Sequence, residues 1–291
     1  MQHMSIDQKL RNKRLDKASI FAAAAFCICL SAVSLTRAED RPKSAQPGNK
    51  PTLFIVGDST VKNGTRGQMG WGDPIAKLFD LEKIRVENRA RGGRSSRTFQ
   101  TEGLWDRVLS DSKPGDFVLI QMGHNDGGPL DDAARARGSI RGIGEETREI
   151  DNPITKKKET VHTYGWYLRK YIADARTKGM TPILCSPIPH CPQKNVMKGD
   201  VERSNYVVWS AQVAEEQKVP FVDLNRIILS HYVGMDPKEI KALYFTPADN
   251  THTSAAGAEL NANSVVEGLR ALEGCDLKKY LKPATRESTK I

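Results

Sequence analysis

Short apolar runs alternate with longer amphipathic stretches along this chain, and that alternation constrains the fold more than any other feature. Five runs read as buried strands, because each is short, aliphatic and bounded by turn residues. They cover residues 52–57, 84–90, 116–123, 181–187 and 220–224. Residues 163–179 and 204–218 are long enough for crossover helices. The pattern predicts a parallel sheet with helices on both faces, in which ligands bind beyond the carboxyl ends of the strands.

The first 38 residues differ in composition from the rest of the chain. A basic segment precedes an apolar run at residues 18–35, ASIFAAAAFCICLSAVSL, and the run ends before TRA. Thr36 and Ala38 are small residues at the positions that a signal peptidase inspects. We predict a signal peptide at residues 1–38, cleavage after Ala38, and a secreted or periplasmic protein without stable membrane insertion. An uncleaved anchor is the alternative, because the apolar run reaches the lower limit for spanning a bilayer.

The remaining length suits a single α/β domain with one sizeable core. We predict a linker at residues 39–51, the domain at residues 52–276 and a basic C-terminal tail at residues 277–291. Residues 1–38 hold six Lys or Arg and two Asp or Glu, so without them the formal net charge falls from +9 to +5. This mild surplus, without a basic stripe interleaved with aromatic residues, predicts no nucleic-acid partner and is compatible with an anionic substrate.

Three cysteines follow the predicted signal peptide, at Cys185, Cys191 and Cys275. Their odd number permits one disulfide and one spare thiol, so either a Cys185–Cys191 disulfide or free thiols fit the sequence. No CxxC pair is present, and His190 beside Cys191 lacks a recognisable ligand spacing. The sequence therefore predicts no metal site.

Polar segments follow three of the predicted strands, and a fourth precedes the last predicted helix. They read GDST at residues 57–60, RGGRSSR at 91–97, GHNDGG at 123–128 and DNTHTS at 249–254. Singly, each segment suits a turn or a helix cap, since Gly, Asn, Asp, Ser and Thr favour both. In a parallel sheet, however, all four meet at one edge, and together they hold the groups that acyl transfer requires.

Each role in acyl transfer has a candidate residue. Ser59 is the predicted nucleophile, because a hydroxyl attacks a carbonyl when a base takes its proton. His252 is the predicted base, and Asp249 is expected to fix its tautomer and stabilise the imidazolium. The predicted oxyanion donors are the backbone N–H groups of Ser59 and Gly93 and the side-chain amide of Asn125.

The combination GDST, GGRSSRTF, GHNDGG and DNTHTSAAGAE resembles the SGNH hydrolases, also called the GDSL family, and within them the rhamnogalacturonan acetylesterases. The resemblance covers residues 52–272. It implies a single-domain three-layer α/β/α sandwich with a central parallel sheet of the flavodoxin-like type, and an enzyme without metal or other cofactor. It also implies the same roles for Ser59, Gly93, Asn125, Asp249 and His252.

Residues 128–162 are too numerous for a simple connection and lack strong periodicity, which is typical of a functional loop. Arginines in this loop and beside the predicted oxyanion glycine suit the carboxylates of an acidic sugar polymer. The alternative for the loop is a solvated surface with paired charges, because acidic residues lie among its arginines. One tryptophan suits a sugar face or the core. The substrate-binding candidates are Arg94, Arg97, Arg135, Arg137 and Trp71.

We therefore expect a secreted serine esterase that removes acetyl groups from a plant polysaccharide, with the rhamnogalacturonan of pectin as the first choice. Acetylated xylan or another glycan is the alternative within the same chemistry. A lipid or thioester esterase of the same fold is a further alternative, although the chain has no long apolar surface stretch outside the predicted signal peptide. A non-catalytic carbohydrate-binding relative is disfavoured, because every role in acyl transfer has a suitable residue.

Overall fold

The computed structural model describes residues 50–200 and 204–283. The predicted signal peptide and residues 39–49 of the predicted linker lie outside the described residues. Within the two described ranges, no helix has the length and apolarity needed to cross a membrane.

The central sheet consists of five parallel strands, as the sequence predicts. Seven strands occur in the described residues: β1 (Thr52–Gly57), β2 (Arg85–Asn88), β3 (Phe117–Gln121), β4 (Thr147–Asp151), β5 (Lys158–His162), β6 (Thr181–Cys185) and β7 (Phe221–Val222). The sheet has the order β2-β1-β3-β6-β7, and β4 pairs with β5 in a separate hairpin. The prediction that all five strands are buried is wrong for β2, an edge strand without a buried residue. Because the strands are parallel, their carboxyl ends meet at one edge.

Helices connect the strands, and the two that the sequence predicts are confirmed. The α-helices are α1 (Ser96–Thr101), α2 (Leu104–Asp111), α3 (Tyr164–Thr177), α4 (Asn205–Glu216), α5 (Leu224–Tyr232), α6 (Pro237–Tyr244) and α7 (Ala255–Ala271), with 3₁₀-helices at Pro74–Leu78 and Asp276–Tyr280. Local side chains fix where α3 and α7 begin. Thr163 accepts a hydrogen bond from the Trp166 N–H, and Ser254 accepts one from the Gly257 N–H.

The two faces of the sheet carry separate hydrophobic cores. Leu53 and Ile55 of β1 pack on the face that α5 and α7 cover, whereas Phe54 and Val56 pack on the face that α1 to α4 cover. All of β1 is buried, because alternate residues of a central strand point to opposite faces. This arrangement confirms the predicted three-layer α/β/α sandwich.

The long segment at residues 128–162 contains the hairpin β4–β5, which the sequence did not predict. Its strands expose most of their residues, and each buries a single aliphatic side chain, Ile150 or Val161. So few apolar positions give almost no alternating pattern, and alternation is the main sequence signal for a strand.

The described part of the predicted C-terminal tail packs against the domain. Leu277 is fully buried, and Leu281 forms an antiparallel bridge with Phe79. The packed structure therefore continues past residue 276, while residues 284–291 lie outside the described residues. Cys185, Cys191 and Cys275 are buried free thiols, so of the two states that the sequence allowed, the structure has no Cys185–Cys191 disulfide.

Candidate active site

The chain turns sharply at the carboxyl end of β1, and this turn places Ser59 at the edge of the sheet. The backbone carbonyl of Asp58 accepts hydrogen bonds from the N–H groups three and four residues later, at 3.2 and 3.0 Å. Its Oδ1 accepts from both the N–H and the hydroxyl of Thr60, each at 2.8 Å. A Cβ on Gly57 would lie 2.8 Å from the Gln121 carbonyl oxygen, so the close packing of this turn requires glycine.

Ser59, His252 and Asp249 form one hydrogen-bonded chain, although 193 positions separate the first two. His252 Nε2 lies 2.9 Å from Ser59 Oγ, and His252 Nδ1 lies 2.8 Å from Asp249 Oδ2. The other oxygen of Asp249 accepts the N–H groups of Thr251 and His252, each at 2.7 Å. This is the arrangement in which an imidazole can take a serine proton while a carboxylate orients the ring.

Asp249 is held as a carboxylate. Burial alone would raise its pKa, but the hydrogen bonds from the ring and backbone of His252 and from the Thr251 N–H lower the pKa to about 2. The carboxylate therefore accepts the His252 Nδ1–H throughout the neutral and mildly acidic range. That fixed acceptor selects the tautomer whose Nε2 is free to accept the Ser59 proton.

The segment that carries Asp249 and His252 is tied to the rest of the domain on two sides. Thr253 receives a hydrogen bond from the Met69 N–H at 3.0 Å and donates its hydroxyl to the Met69 carbonyl at 2.8 Å. On the other side, Asn250 accepts from the Cys191 N–H at 2.8 Å and from Lys241 Nζ at 2.9 Å. These contacts fix the position of the turn and keep the imidazole within reach of Ser59.

The predicted oxyanion donors line the same cavity as Ser59 and His252. Gly93 has φ +79°, a left-handed conformation that suits glycine. Neither the Ser59 N–H nor the Gly93 N–H has a protein acceptor among the described residues. Asn125 Nδ2 donates one hydrogen to the Arg94 carbonyl at 2.8 Å, which leaves its second N–H for a ligand. The structure thus brings all five predicted residues of the acyl-transfer site together.

Asp126, next to Asn125, anchors the end of β3 to α1. It is fully buried and accepts hydrogen bonds from the Ser96 N–H, the Ser96 hydroxyl and the Ser139 hydroxyl. Burial raises its pKa to about 6; the Ser96 and Ser139 hydrogen bonds oppose this rise, and the charge of Asp58 adds to it. The sequence did not single out Asp126, because its role depends on residues far along the chain.

The cavity has a volume of about 850 Å³ and a strongly basic lining. Among the described residues, no Asp or Glu lines the cavity. Five cationic side chains do so, namely Lys62, Arg91, Arg94, Arg135 and Arg137. Within the described part of the chain, only Arg94 of these five forms an ion pair, with Glu102 at 2.9 Å. A cleft of this kind attracts anions, because like charges without local partners produce a positive potential.

Arg137 contacts the predicted oxyanion glycine directly. Its Nη1 donates to the Gly93 carbonyl at 3.1 Å, so the guanidinium adjoins the oxyanion glycine. Partial burial, together with the neighbouring charge of Arg135, lowers its pKa. A guanidinium that is partly desolvated and forms no ion pair among the described residues is suited to a bidentate contact with an anionic ligand.

Two predicted substrate-binding residues are buried away from the cavity, and those predictions are wrong. Arg97 is fully buried and makes a bidentate ion pair with Glu159 at 2.7 and 2.8 Å, while Nη1 donates to two backbone carbonyls. Trp71 is fully buried, and its indole N–H donates to Gln121 at 2.8 Å. Arg97 therefore joins α1 to the β4–β5 hairpin, and Trp71 belongs to the core.

Arg94, Arg135 and Arg137 do line the cavity, as predicted. Sequence reasoning missed Lys62 and Arg91, which lie in the loops after β1 and β2. Their position offered a usable signal, since residues that follow strands of a parallel sheet gather at its ligand-binding edge. Among the described residues, no group of three or more His, Cys, Asp or Glu side chains is placed to hold a metal ion.

Comparisons with known proteins agree with this geometry. The model of the GDSL-like lipase/acylhydrolase family matches residues 55–260. A probable rhamnogalacturonan acetylesterase of Bacillus subtilis, YesY, is 30% identical over 226 residues, which are 76% of this chain and 93% of the relative. The rhamnogalacturonan acetylesterase of Emericella nidulans is 30% identical over 219 residues, which are 75% of this chain and 84% of the relative.

A solved structure extends the likeness to three dimensions. The crystal structure of the Bacillus subtilis protein YxiM superimposes with a TM-score of 0.61 at 26% identity, over 78% of this chain and 58% of that one. The match to the family model spans more than half of the chain and contains Ser59 and His252. The chain therefore belongs to the GDSL-like lipase/acylhydrolase family, the SGNH hydrolases, and is a carboxylic ester hydrolase.

Proposed function

We propose that this esterase removes O-acetyl groups from an acidic plant polysaccharide, the rhamnogalacturonan of pectin. The observation that carries the proposal is the basic cavity beside the Ser59–His252–Asp249 chain, with five cationic residues and no described carboxylate in its lining. The names of the two relatives at 30% identity support the same substrate class.

In the proposed course, Ser59 Oγ attacks the carbonyl carbon of the acetyl group while His252 Nε2 takes its proton. The negative oxygen of the tetrahedral intermediate accepts hydrogen bonds from the N–H groups of Ser59 and Gly93 and from the amide of Asn125. His252 then returns the proton to the sugar oxygen, which leaves. A water that His252 activates hydrolyses the acetyl-enzyme and restores Ser59.

The cavity favours a small acyl group over a long chain. Its described lining contains one alanine and several glycines but no Leu, Ile, Val, Phe or Met side chain. A long acyl chain gains about 0.8 kcal/mol for each methylene that it buries against apolar surface, and this lining offers little such surface. An acetyl ester on a polar sugar needs no apolar groove.

The charge of the cavity favours an acidic polymer over a neutral one. Galacturonate units of rhamnogalacturonan carry carboxylates, whereas the xylan backbone is neutral. Arg91, Arg135 and Arg137 line the cavity without an ion-pair partner among the described residues, so a bound carboxylate would supply the missing countercharge. A neutral glycan would leave the partly buried Arg137 unpaired.

We further propose that the protein is exported, because a polysaccharide of plant cell walls is met outside the cell. The support is the composition of residues 1–38, which lie outside the described residues. Export in the producing organism, followed by sequencing of the mature N-terminus, tests this. The expected terminus is Glu39, and a mature protein that begins at Met1 would contradict the proposal.

The substrate proposal is tested by acetate release from acetylated rhamnogalacturonan, acetylated xylan and 4-nitrophenyl acetate. We compare the wild type with Arg137→Gln, and use Arg107→Gln on the exposed side of α2 as the matched control. Loss of one charge-assisted contact corresponds to about 1.5–3 kcal/mol, so KM for rhamnogalacturonan should rise at least about tenfold in Arg137→Gln.

The same substitution should leave KM for 4-nitrophenyl acetate almost unchanged, because that ester carries no carboxylate. Added salt should raise KM for rhamnogalacturonan in the wild type, since salt screens the cavity charges. Arg107→Gln should behave like the wild type. Faster acetate release from neutral xylan than from rhamnogalacturonan, or an unchanged KM in Arg137→Gln, would contradict the acidic substrate.

A further inference from the structure

His124 lies between the turn that carries Ser59 and the segment that carries Asn125. Its Nε2 is 3.1 Å from the Ile188 carbonyl oxygen, and its Nδ1 is 3.3 Å from Asp58 Oδ2. The side chain of His124 is 5% exposed and that of Asp58 is 0% exposed. A second Asp–His pair therefore adjoins the acyl-transfer site, whose cavity His124 helps to line, and the proposed acyl transfer makes no use of it.

The partners of the ring define its protonation state. The Ile188 carbonyl oxygen only accepts hydrogen bonds, so Nε2 must carry a proton. Asp58 Oδ1 already accepts from the Thr60 N–H and hydroxyl, and Oδ2 faces Nδ1. A carbonyl oxygen at Nε2 and a carboxylate oxygen at ion-pair distance from Nδ1 match the imidazolium form.

An alternative to the imidazolium would place the Nδ1 proton on Asp58 and leave His124 neutral. Burial alone would raise the pKa of Asp58, but the charge and hydrogen bond of His124 and the two Thr60 hydrogen bonds lower it below its usual value. Other charged or titratable groups surround the pair. Asp126 and Arg137 interact with Asp58 through their charges, and the His190 ring packs edge-on against His124 at 5.5 Å.

We propose that His124 is a positioning residue, and that the ion pair of its imidazolium with Asp58 fixes Ser59 and Asn125 relative to each other. Asp58 directly precedes Ser59, and His124 directly precedes Asn125. The pair thus joins the two segments that supply the nucleophile and an oxyanion donor. His124 also contacts the Ile188 carbonyl, in the loop after β6. The same loop holds the segment of Asp249 and His252, because its Cys191 N–H donates to the Asn250 carbonyl.

A positioning role affects the chemical step more than binding. An oxyanion donor that moves away from the developing charge weakens transition-state stabilisation, while ground-state binding of a small ester changes little. The inference rests on the roles of Ser59 and Asn125 proposed above but not on the identity of the polysaccharide. It is therefore tested with 4-nitrophenyl acetate and with a spectroscopic measurement that needs no substrate.

The first test is ¹⁵N NMR of the histidine side chains in the full mature protein, with His124→Ala assigning the signal. We expect His124 to remain doubly protonated from about pH 5.5 to about pH 8.5, a range that spans the ordinary histidine pKa of about 6.5. In Asp58→Asn, the amide can donate to Nδ1, so His124 should become neutral with the proton on Nε2. A wild-type His124 that titrates within this range would overturn the proposal.

The second test is kinetic. We expect His124→Ala to lower kcat for 4-nitrophenyl acetate at least about thirtyfold, with KM within about threefold of the wild type. Complete loss of an oxyanion donor lowers kcat by about a hundredfold or more, and a misplaced donor should lose a large part of that effect. His231→Ala is the matched control, because His231 pairs with Glu267 on the helices α5 and α7, outside the cavity. Wild-type kcat in His124→Ala would overturn the proposal.

Asp58→Asn keeps the test decisive if His124→Ala does not fold. This nearly isosteric change keeps the shape of the pair while it removes both charges. We expect a folded protein whose kcat stays within about tenfold of the wild type, because position and not net charge is the proposed contribution. A loss of about a thousandfold in folded Asp58→Asn would contradict the positioning role.

Discussion

Replacement of Asn125 by alanine removes one proposed oxyanion donor and leaves the nucleophile and base in place. The Asn125 side chain lines the cavity and donates one hydrogen to the Arg94 carbonyl at 2.8 Å. Arg94 is in turn held by Glu102, so the amide is fixed before substrate arrives. The second N–H of Asn125 is thus a preorganised donor whose loss nothing nearby replaces.

Loss of one preorganised oxyanion donor costs about 2.7–4 kcal/mol in other hydrolases, which corresponds to a fall in kcat of about 10²–10³. We expect this fall in Asn125→Ala, with KM for 4-nitrophenyl acetate within about threefold because the ground-state ester makes weaker use of the donor. The Ser59 and Gly93 N–H groups remain, so turnover should stay measurable.

Steady-state kinetics on 4-nitrophenyl acetate measures the effect, and a thermal unfolding curve checks that the variant is folded. Asn263→Ala is the matched control, since Asn263 is an exposed residue of α7 whose amide donates to the Glu259 carbonyl. Its kcat should equal that of the wild type. A kcat for folded Asn125→Ala within about threefold of the wild type would refute an oxyanion role for Asn125.

Two further predictions concern stability. Glu159→Gln leaves the fully buried Arg97 without its carboxylate, so the free energy of unfolding should fall by about 3–5 kcal/mol. Urea unfolding measures this loss. A loss below about 1 kcal/mol, which is typical of an exposed pair, would contradict a buried ion pair. The pKa of Asp126 is about 6 in the folded state, against an ordinary value of 3.8. The folded state therefore binds this proton more tightly, and the resulting stabilisation is complete below about pH 3.8 and is lost as pH rises through 6. The loss in the free energy of unfolding is about 3 kcal/mol. Between pH 4 and pH 7, Asp126→Asn should therefore lose less stability than the wild type, and equal losses would contradict the raised pKa.

The sheet and the acyl-transfer site were predictable from sequence for the same physical reason. Buried strands of a parallel sheet are continuous apolar runs, and the polar residues that follow them must converge at one edge. Ser59 and Asn125 each follow such a run, whereas Gly93 follows the edge strand β2, which has no buried residue, and the described structure brings all three into one cavity with His252. Convergence of this kind needs only parallel strands, which the alternation of strands with crossover helices predicts.

Whether an individual side chain is buried or lines the cavity was less predictable. Arg97 and Arg137 are both arginines near the predicted glycine, yet one is fully buried against Glu159 and the other lines the cavity. The difference depends on the β4–β5 hairpin, whose weak apolar pattern hid it in the sequence. Asp126 and the Asp58–His124 pair were missed for a related reason, since their partners lie on separate loops that only the fold brings together.

The most direct test of the proposed chemistry is to trap the acetyl-enzyme. The mature protein is mixed with 4-nitrophenyl acetate, quenched in acid within one turnover and digested, and the peptides are analysed by mass spectrometry. We expect a single acetyl group on the peptide that contains Ser59, and neither acetylation nor turnover in folded Ser59→Ala. Acetylation at a different residue, or turnover that persists in Ser59→Ala, would contradict the assignment of Ser59 as the nucleophile.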